Sequence, residues 1–185
     1  MLDQVHQTAE RKMKRAIEAL QHDLSAIRTG RASPALLERV QVDYYGAPTP
    51  LNGVATISVP EPRLLVIQPW DKKLLPAIEK AIQKADLGLT PSSDGNVVRL
   101  VVPPLNEERR RDLVKQVHKR VEEARVAVRN CRRDALEEIR KAEKEQHLPE
   151  AEVRRAQERL QKLTDSMIGQ VDEVGRRKEA EIMEI

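Results

Sequence analysis

The segment "NEERRRDLVKQVHKRVEEARVAVRNCRRDALEEIRKAEKEQ" (residues 106–146) is one long run in which apolar residues recur every three or four positions. This spacing places them along one side of an α-helix and predicts a buried stripe. Asn106 is suited to cap the helix, and the acidic residues Glu107 and Glu108 favour the positive end of its dipole. A helix of this length cannot bury its stripe alone, so the segment predicts a helical bundle. The predicted stripe comprises Val114, Val117, Val121, Ala124, Val128, Cys131, Ala135, Ile139 and Ala142.

Two further segments carry the same helical spacing and supply partners for this stripe. Residues 2–28 read as a first helix, and Gly30 and Pro34 follow it where the chain must leave the helix. Pro149 is suited to begin a last helix, which runs towards the end of the chain. We therefore predict an antiparallel three-helix bundle formed by residues 1–29 and 105–185, a domain that is discontinuous in sequence.

The intervening residues 30–104 have a different composition. Ten of the eleven prolines lie there, and short alternating runs replace the long helical repeat. These features predict a small α/β domain of about 70 residues. The expected elements are strands around 40–44, 54–59, 63–69 and 96–104, a turn at 45–50, and a helix over 71–88 that Gly88 closes.

This arrangement makes the chain cross between the two domains twice. The resulting fold class is α+β, an elongated antiparallel three-helix bundle with an inserted small α/β domain. Two adjacent connections of this kind form a two-stranded hinge. The predicted hinge residues are Thr29, Gly30, Arg31, Pro103, Pro104 and Leu105.

Arginines crowd the centre of the long helix, beside its own packing stripe. Residues 105–135 hold 10 basic and 6 acidic side chains, a net charge of +4, whereas residues 136–185 have a net charge of −3. At about 100° per residue, the arginines lie from roughly 60° to roughly 160° away from the centre of the stripe. In order of increasing angle they are Arg132, Arg125, Arg129 and Arg133, and Arg110 extends the band about four turns before Arg125.

Two interpretations of these arginines remain open from their positions alone. They can be solvated flanks that pair with Glu122, with Asp134 or with acids on the last helix. They can also bind phosphates, because the planar guanidinium fork matches phosphate oxygens and local acids are too few to neutralise all four. Aromatic residues are only 2% of the chain, so any nucleic acid would be held by backbone and shape and not by base stacking.

Other classes of protein find little support in the sequence. There is no G-x-x-x-x-G-K-[ST] nucleotide-binding loop, and the four histidines are too dispersed to suggest a metal site. We therefore expect no enzyme activity, no catalytic residue, no metal and no cofactor. Cys131 is the only cysteine, which indicates an intracellular protein, and no apolar run is long enough to span a membrane. We expect a cytoplasmic protein with no membrane partner.

Several stretches, in order along nearly the whole chain, resemble the ribosome recycling factor family. Asn106 stands where a threonine is usual, and both residues can cap a helix. The stretches are "IRTGRASPALLERVQVDYYGAPTPL" (27–51), "PWD" (69–71), "IEKAI" (78–82), "DLGLTP" (86–91), "PPLNEERRRDL" (103–113) and "ARVAVRNCRRDA" (124–135).

The resemblance implies an L-shaped molecule and a translation factor. Such a factor binds the post-termination 70S ribosome, mainly through large-subunit rRNA, and splits it into subunits with elongation factor G and GTP. It also implies that the arginine-rich face contacts rRNA, which gives Arg110, Arg125, Arg129, Arg132 and Arg133 as candidate RNA-binding residues. We expect a monomer, because three helices satisfy the stripe internally. The alternative is a coiled-coil adaptor that binds other proteins and has no RNA role.

Overall fold

The computed structural model describes residues 1–184, which form two compact units. One unit consists of Met1–Arg28 together with the chain from Asn106 onward, and the other is Thr29–Leu105. The first unit is wholly helical and the second is built on antiparallel strands, which confirms the predicted α+β class.

Three long helices make up the first unit: α1 (Leu2–Ser25), α3 (Glu107–Gln146) and α4 (Glu150–Met183). Each of them packs against the other two. The Asn106 side chain accepts a hydrogen bond from the backbone N–H of Arg109 at 2.7 Å, so the predicted cap of α3 is confirmed. At its other end α3 stops at His147, whose left-handed backbone (φ +52°) turns the chain into α4.

The buried stripe of α3 follows the predicted spacing with two local differences. Leu113 is buried in place of Val114, and Cys131 is only half-buried. Helix α1 is also shorter than predicted, since it ends at Ser25, five residues before Gly30. Gly30 does adopt the left-handed backbone expected of it (φ +79°), but it does so in the connection and not at the helix end. The buried residues of α3 are Leu113, Val117, Val121, Ala124, Val128, Ala135, Ile139 and Ala142.

Two residues of α4 that break its apolar pattern are explained by packing. Thr164 is buried, and its hydroxyl donates a 2.8 Å hydrogen bond to the carbonyl of Leu160, one turn earlier, so no polar group is left unpaired. Gly175 faces Val121 of α3, and a Cβ atom placed on this glycine would lie 2.5 Å from the Val121 Cγ2. Glycine is therefore required for α3 and α4 to approach each other this closely.

The second unit contains a two-stranded sheet, a four-stranded sheet and one helix, α2 (Leu75–Lys84). The small sheet is the hairpin of β1 (Gln41–Tyr44) and β2 (Ala47–Pro50). The larger sheet has the order β3-β4-β6-β5, and all of its pairs are antiparallel. Its strands are β3 (Ala55–Glu61), β4 (Leu64–Pro69), β5 (Pro91–Ser93) and β6 (Val98–Val101).

Strands β2 and β5 were not predicted, and both contain proline, which lacks a backbone N–H. Proline is tolerated in a strand only where no ladder hydrogen bond is needed from it, as at an edge. The β2 strand belongs to a sheet of only two strands, and β5 is an edge strand of the larger sheet. The predicted helix over 71–88 is also shorter: a 3₁₀ turn precedes α2, and residues with left-handed backbone, Asp86 and Gly88, follow it.

We predict that Gly175→Ala lowers the free energy of unfolding by about 1–3 kcal/mol, because the added methyl group collides with Val121. Gly169→Ala is the matched control on the same helix. Gly169 is exposed, and no atom lies near enough to contact a new Cβ. Alanine there should raise the free energy of unfolding by up to about 1 kcal/mol, because alanine has the higher helix propensity. Urea unfolding followed by circular dichroism measures both. Destabilisation of the same size in both variants would contradict the close-approach explanation.

Candidate nucleic-acid interface

All five predicted RNA-binding arginines lie on α3, and their exposure follows their angle from the buried stripe. Arg132 and Arg125, nearest to the stripe, are half-buried, whereas Arg129 and Arg133 are exposed. Arg110 lies near the stripe direction and is half-buried as well. The helical geometry therefore makes a band that runs from the α3–α4 boundary to the open face of α3.

Arg125 is held firmly by two carboxylates. Its Nε and Nη2 atoms lie 2.8 and 2.6 Å from Oδ1 of Asp172 on α4, and its Nη1 lies 3.0 Å from Glu122. The hydrogen bond to Asp172, followed by that to Glu122, raises the pKa of Arg125. Both partners in the cross-helix pair are about one-third exposed, 33% and 35%, so water screens the pair only in part. The charge of Arg125 is already matched inside the protein.

Arg129 shares one of these carboxylates. Its Nη1 lies 3.5 Å from the second oxygen of Glu122, and its side chain is 52% exposed. Because Glu122 also binds Arg125, a single carboxylate serves two guanidinium groups. Arg129 therefore keeps most of its positive charge available to an outside ligand.

Arg132 has a neutral partner. Its Nη1 donates a 2.9 Å hydrogen bond to Oε1 of Gln161 on α4. The amide of Gln161 in turn donates to Asp165 at 2.9 Å. The Nε of Arg132 is buried and has no hydrogen-bond partner among the described residues.

Arg133 and Arg110 complete the candidate set. Neither makes an ion pair or a side-chain hydrogen bond to any of residues 1–184, and the Nε of Arg110 is buried without a partner. Within residues 1–184, the guanidinium groups of Arg125, Arg129, Arg132 and Arg133 thus pair with only two carboxylates, Asp172 and Glu122. The band keeps a net positive charge along a rigid helix, which suits the regularly spaced phosphates of folded RNA.

The candidate hinge residues lie where the chain passes between the two units. Residues 26–33 and 102–106 form neither helix nor strand. Gly30 has a left-handed backbone, and a Cβ placed on it would lie 3.3 Å from the Leu105 Cγ. The predicted positions Thr29, Arg31, Pro103 and Pro104 fall in the same two connections. Their role in motion remains a prediction.

Other chemical sites are not evident in the part of the chain that the structure describes. No group of three or more His, Cys, Asp and Glu side chains there is arranged to hold a metal ion. Burial raises the pKa of the Cys131 thiol, which is the opposite of what a reactive cysteine needs. Among residues 1–184, no helix is long and apolar enough to cross a membrane.

The sequence suggested acids on the last helix as partners of the arginines, but it did not identify the α4 residues that organise the band: Asp172, Gln161 and Asp165. They lie 29 or more positions from the arginines that they support, directly or through another side chain, and helical spacing carries no signal for contacts of that range. The acids that the sequence did suggest behave differently from each other. Glu122 does pair with two arginines, whereas Asp134 makes no ion pair within residues 1–184.

We predict that Asp172→Asn lowers the free energy of unfolding by roughly 1 kcal/mol at low salt, because Arg125 loses its cross-helix charge partner. The loss should shrink as salt is added. Glu173→Gln makes the same change in charge. Among the described residues Glu173 pairs only along α4, with Arg176 and Arg177, so this variant should lose less than about 0.5 kcal/mol. Equal losses in thermal unfolding would contradict a special role for Asp172.

Comparison with known proteins agrees with this architecture. The family model described as ribosome recycling factor matches residues 20–183. The ribosome-recycling factor of Heliobacterium modesticaldum is 60% identical over 185 residues, 100% of both chains. That of Halalkalibacterium halodurans is 57% identical over the same full length.

Solved structures agree in fold as well as in sequence. A solution structure of a ribosome recycling factor is 48% identical, with a TM-score of 0.76, and the match covers 100% of this chain and 98% of that one. The T. thermophilus ribosome recycling factor, placed with E. coli elongation factor G on the E. coli post-termination complex, is 48% identical, with a TM-score of 0.64 and 99% coverage of both chains. The adaptor alternative receives no support from these relatives. The chain belongs to the ribosome recycling factor family.

Proposed function

We propose that this protein binds the post-termination ribosome and, together with elongation factor G and GTP, separates it into subunits so that translation can begin again. The observation that carries this function is identity of 60% and 57% to ribosome-recycling factors over their full length. A related structure at 48% identity is placed on a post-termination complex beside elongation factor G. We therefore infer that this chain has the same partners, the post-termination ribosome and elongation factor G.

The anchor of the protein on the ribosome is the arginine band of α3. Arg129, Arg132, Arg133 and Arg110 carry positive charge that the described residues do not fully compensate. Guanidinium groups on a rigid helix can bind rRNA phosphates without base-specific contacts. Arg125 belongs to the predicted set too, but its two carboxylate partners leave it the weakest candidate for direct contact.

The second unit acts as the moving part. Elongation factor G pushes it, and the two connections around Gly30 and Leu105 absorb the change in backbone direction. The long helices α3 and α4 resist bending because each buries a continuous apolar stripe. The protein needs no chemistry of its own in this scheme, since the GTP is hydrolysed by its partner. It works in the cytoplasm, as a monomer.

We predict that Arg129→Ala/Arg132→Ala weakens binding to 70S ribosomes at least tenfold and lowers the salt dependence of affinity, because phosphate contacts are lost. Co-sedimentation across a salt series measures both quantities.

The matched control for this variant is Arg155→Ala/Arg159→Ala. It removes the same charge from α4, where Arg159 pairs with Asp3 of α1. Its affinity should stay near that of the wild type. If the wild type itself failed to bind ribosomes, the proposed function would be wrong, whereas equal effects of the two double variants would refute only the site.

We predict that Gly30→Val slows subunit splitting more than it weakens ribosome binding. Valine strongly disfavours the left-handed backbone of Gly30 and would press on Leu105, so the connection stiffens or shifts. Light scattering with elongation factor G and GTP reports splitting, and co-sedimentation reports binding. Gly88→Val is the control, because Gly88 has a similar backbone (φ +71°) but lies after α2, away from both connections. Equal loss of splitting and binding in Gly30→Val would argue against the hinge.

A further inference from the structure

We propose that Gln161 is a positioning residue for Arg132: it orients the guanidinium group across the α3–α4 boundary while leaving its positive charge free for an RNA phosphate. The inference rests on the proposed rRNA contact and adds to it a residue outside the arginine band. Gln161 accepts a 2.9 Å hydrogen bond from Nη1 of Arg132, across 29 positions of sequence.

The orientation of Gln161 is itself determined by a third side chain. An amide has one accepting end and one donating end. Asp165, one turn further along α4, accepts a 2.9 Å hydrogen bond from the Nε2 of Gln161. This contact turns the carbonyl oxygen of the amide towards Arg132. The two hydrogen bonds therefore run in one direction, from Arg132 to Gln161 and from Gln161 to Asp165, and the positive group stands at the donating end.

A second pair at the same boundary shows what a carboxylate does in this position. Arg125 lies two turns before Arg132 on α3, and its partner Asp172 lies three turns after Gln161 on α4. Both contacts therefore cross the same α3–α4 boundary, in the order expected of two antiparallel helices. Asp172 neutralises Arg125 and accepts a hydrogen bond from its Nε. Gln161 is neutral and leaves the charge of Arg132 uncompensated, and the Nε of Arg132 has no partner within residues 1–184.

This difference gives Gln161 a function that stability alone does not require. A carboxylate would bind a guanidinium group more strongly than an amide does. A neutral acceptor holds Arg132 in place at the smallest loss of attraction for phosphate. Among residues 1–184, Gln161 accepts the only hydrogen bond from the Arg132 guanidinium, and the Nε is buried, so the remaining Nη donors are those available to phosphate oxygens.

The test is Gln161→Glu, assayed by co-sedimentation with 70S ribosomes across a salt series. The new carboxylate should keep Arg132 in position but neutralise it. Affinity should fall about tenfold, as expected for the loss of one charge-assisted contact, and the slope of log affinity against log salt should fall by about 0.7–0.9. Thermal stability should change little, because the gained ion pair with Arg132 offsets the lost hydrogen bond to Asp165 and the repulsion between the two carboxylates.

The control variant is Gln170→Glu. Gln170 is an exposed residue of α4, nine positions from Gln161 and so about 180° around the helix. Gln170→Glu makes the same change in net charge on the opposite side of α4, so the affinity of this variant for 70S ribosomes should match that of the wild type. Equal weakening by the two variants would overturn the proposal.

A double-mutant cycle with Arg132→Ala separates two effects of Gln161→Glu: one that acts through Arg132, and direct repulsion of RNA by the new carboxylate. If Gln161 acts through Arg132, Gln161→Glu should cause no further loss in the Arg132→Ala background. The same loss in both backgrounds would overturn the proposal and leave the RNA contact intact. Failure of Arg132→Ala to weaken binding would instead remove the contact on which the proposal rests.

Discussion

The close packing of α3 against α4 is the constraint on which the rest of the bundle unit depends. Each helix buries a continuous apolar stripe, and at Gly175 the absence of a side chain lets α4 approach Val121 of α3. Because the two helices lie this close together, short side chains of α4, such as Asp172, can reach arginines on α3. The apolar packing therefore sets the geometry of the polar site beside it.

That geometry gives chemically identical arginines different electrostatic roles. Arg125 is enclosed by two carboxylates and ties the helices together, whereas Arg132 is held by an amide and keeps its charge. Arg129 shares Glu122 with Arg125, and Arg133 faces outward without an ion pair among residues 1–184. A helix can thus serve as structural support and as a phosphate-binding surface at once, since each task uses different members of one band.

Much of the fold could be predicted because it arises from local patterns. The three–four spacing located all three long helices, and the cap at Asn106 was found from residue type alone. Errors occurred where two local rules compete. The prolines of β2 fall in the turn predicted at 45–50, yet Pro48 and Pro50 pair in register with β1, in a sheet of only two strands. Similarly, Thr164 is polar in sequence but buried, because its hydroxyl bonds to its own helix.

The sequence by itself determined the helical stripe and the placement of the arginines around it, because helical period and residue type act over a few neighbouring positions. The family was indicated separately, by the resemblance of several stretches to ribosome recycling factors. Only the tertiary structure decided which arginines are neutralised, and it also explained the glycine at position 175. Those outcomes depend on partners 29 to 54 residues away, and such contacts exist only once α3 and α4 have packed together.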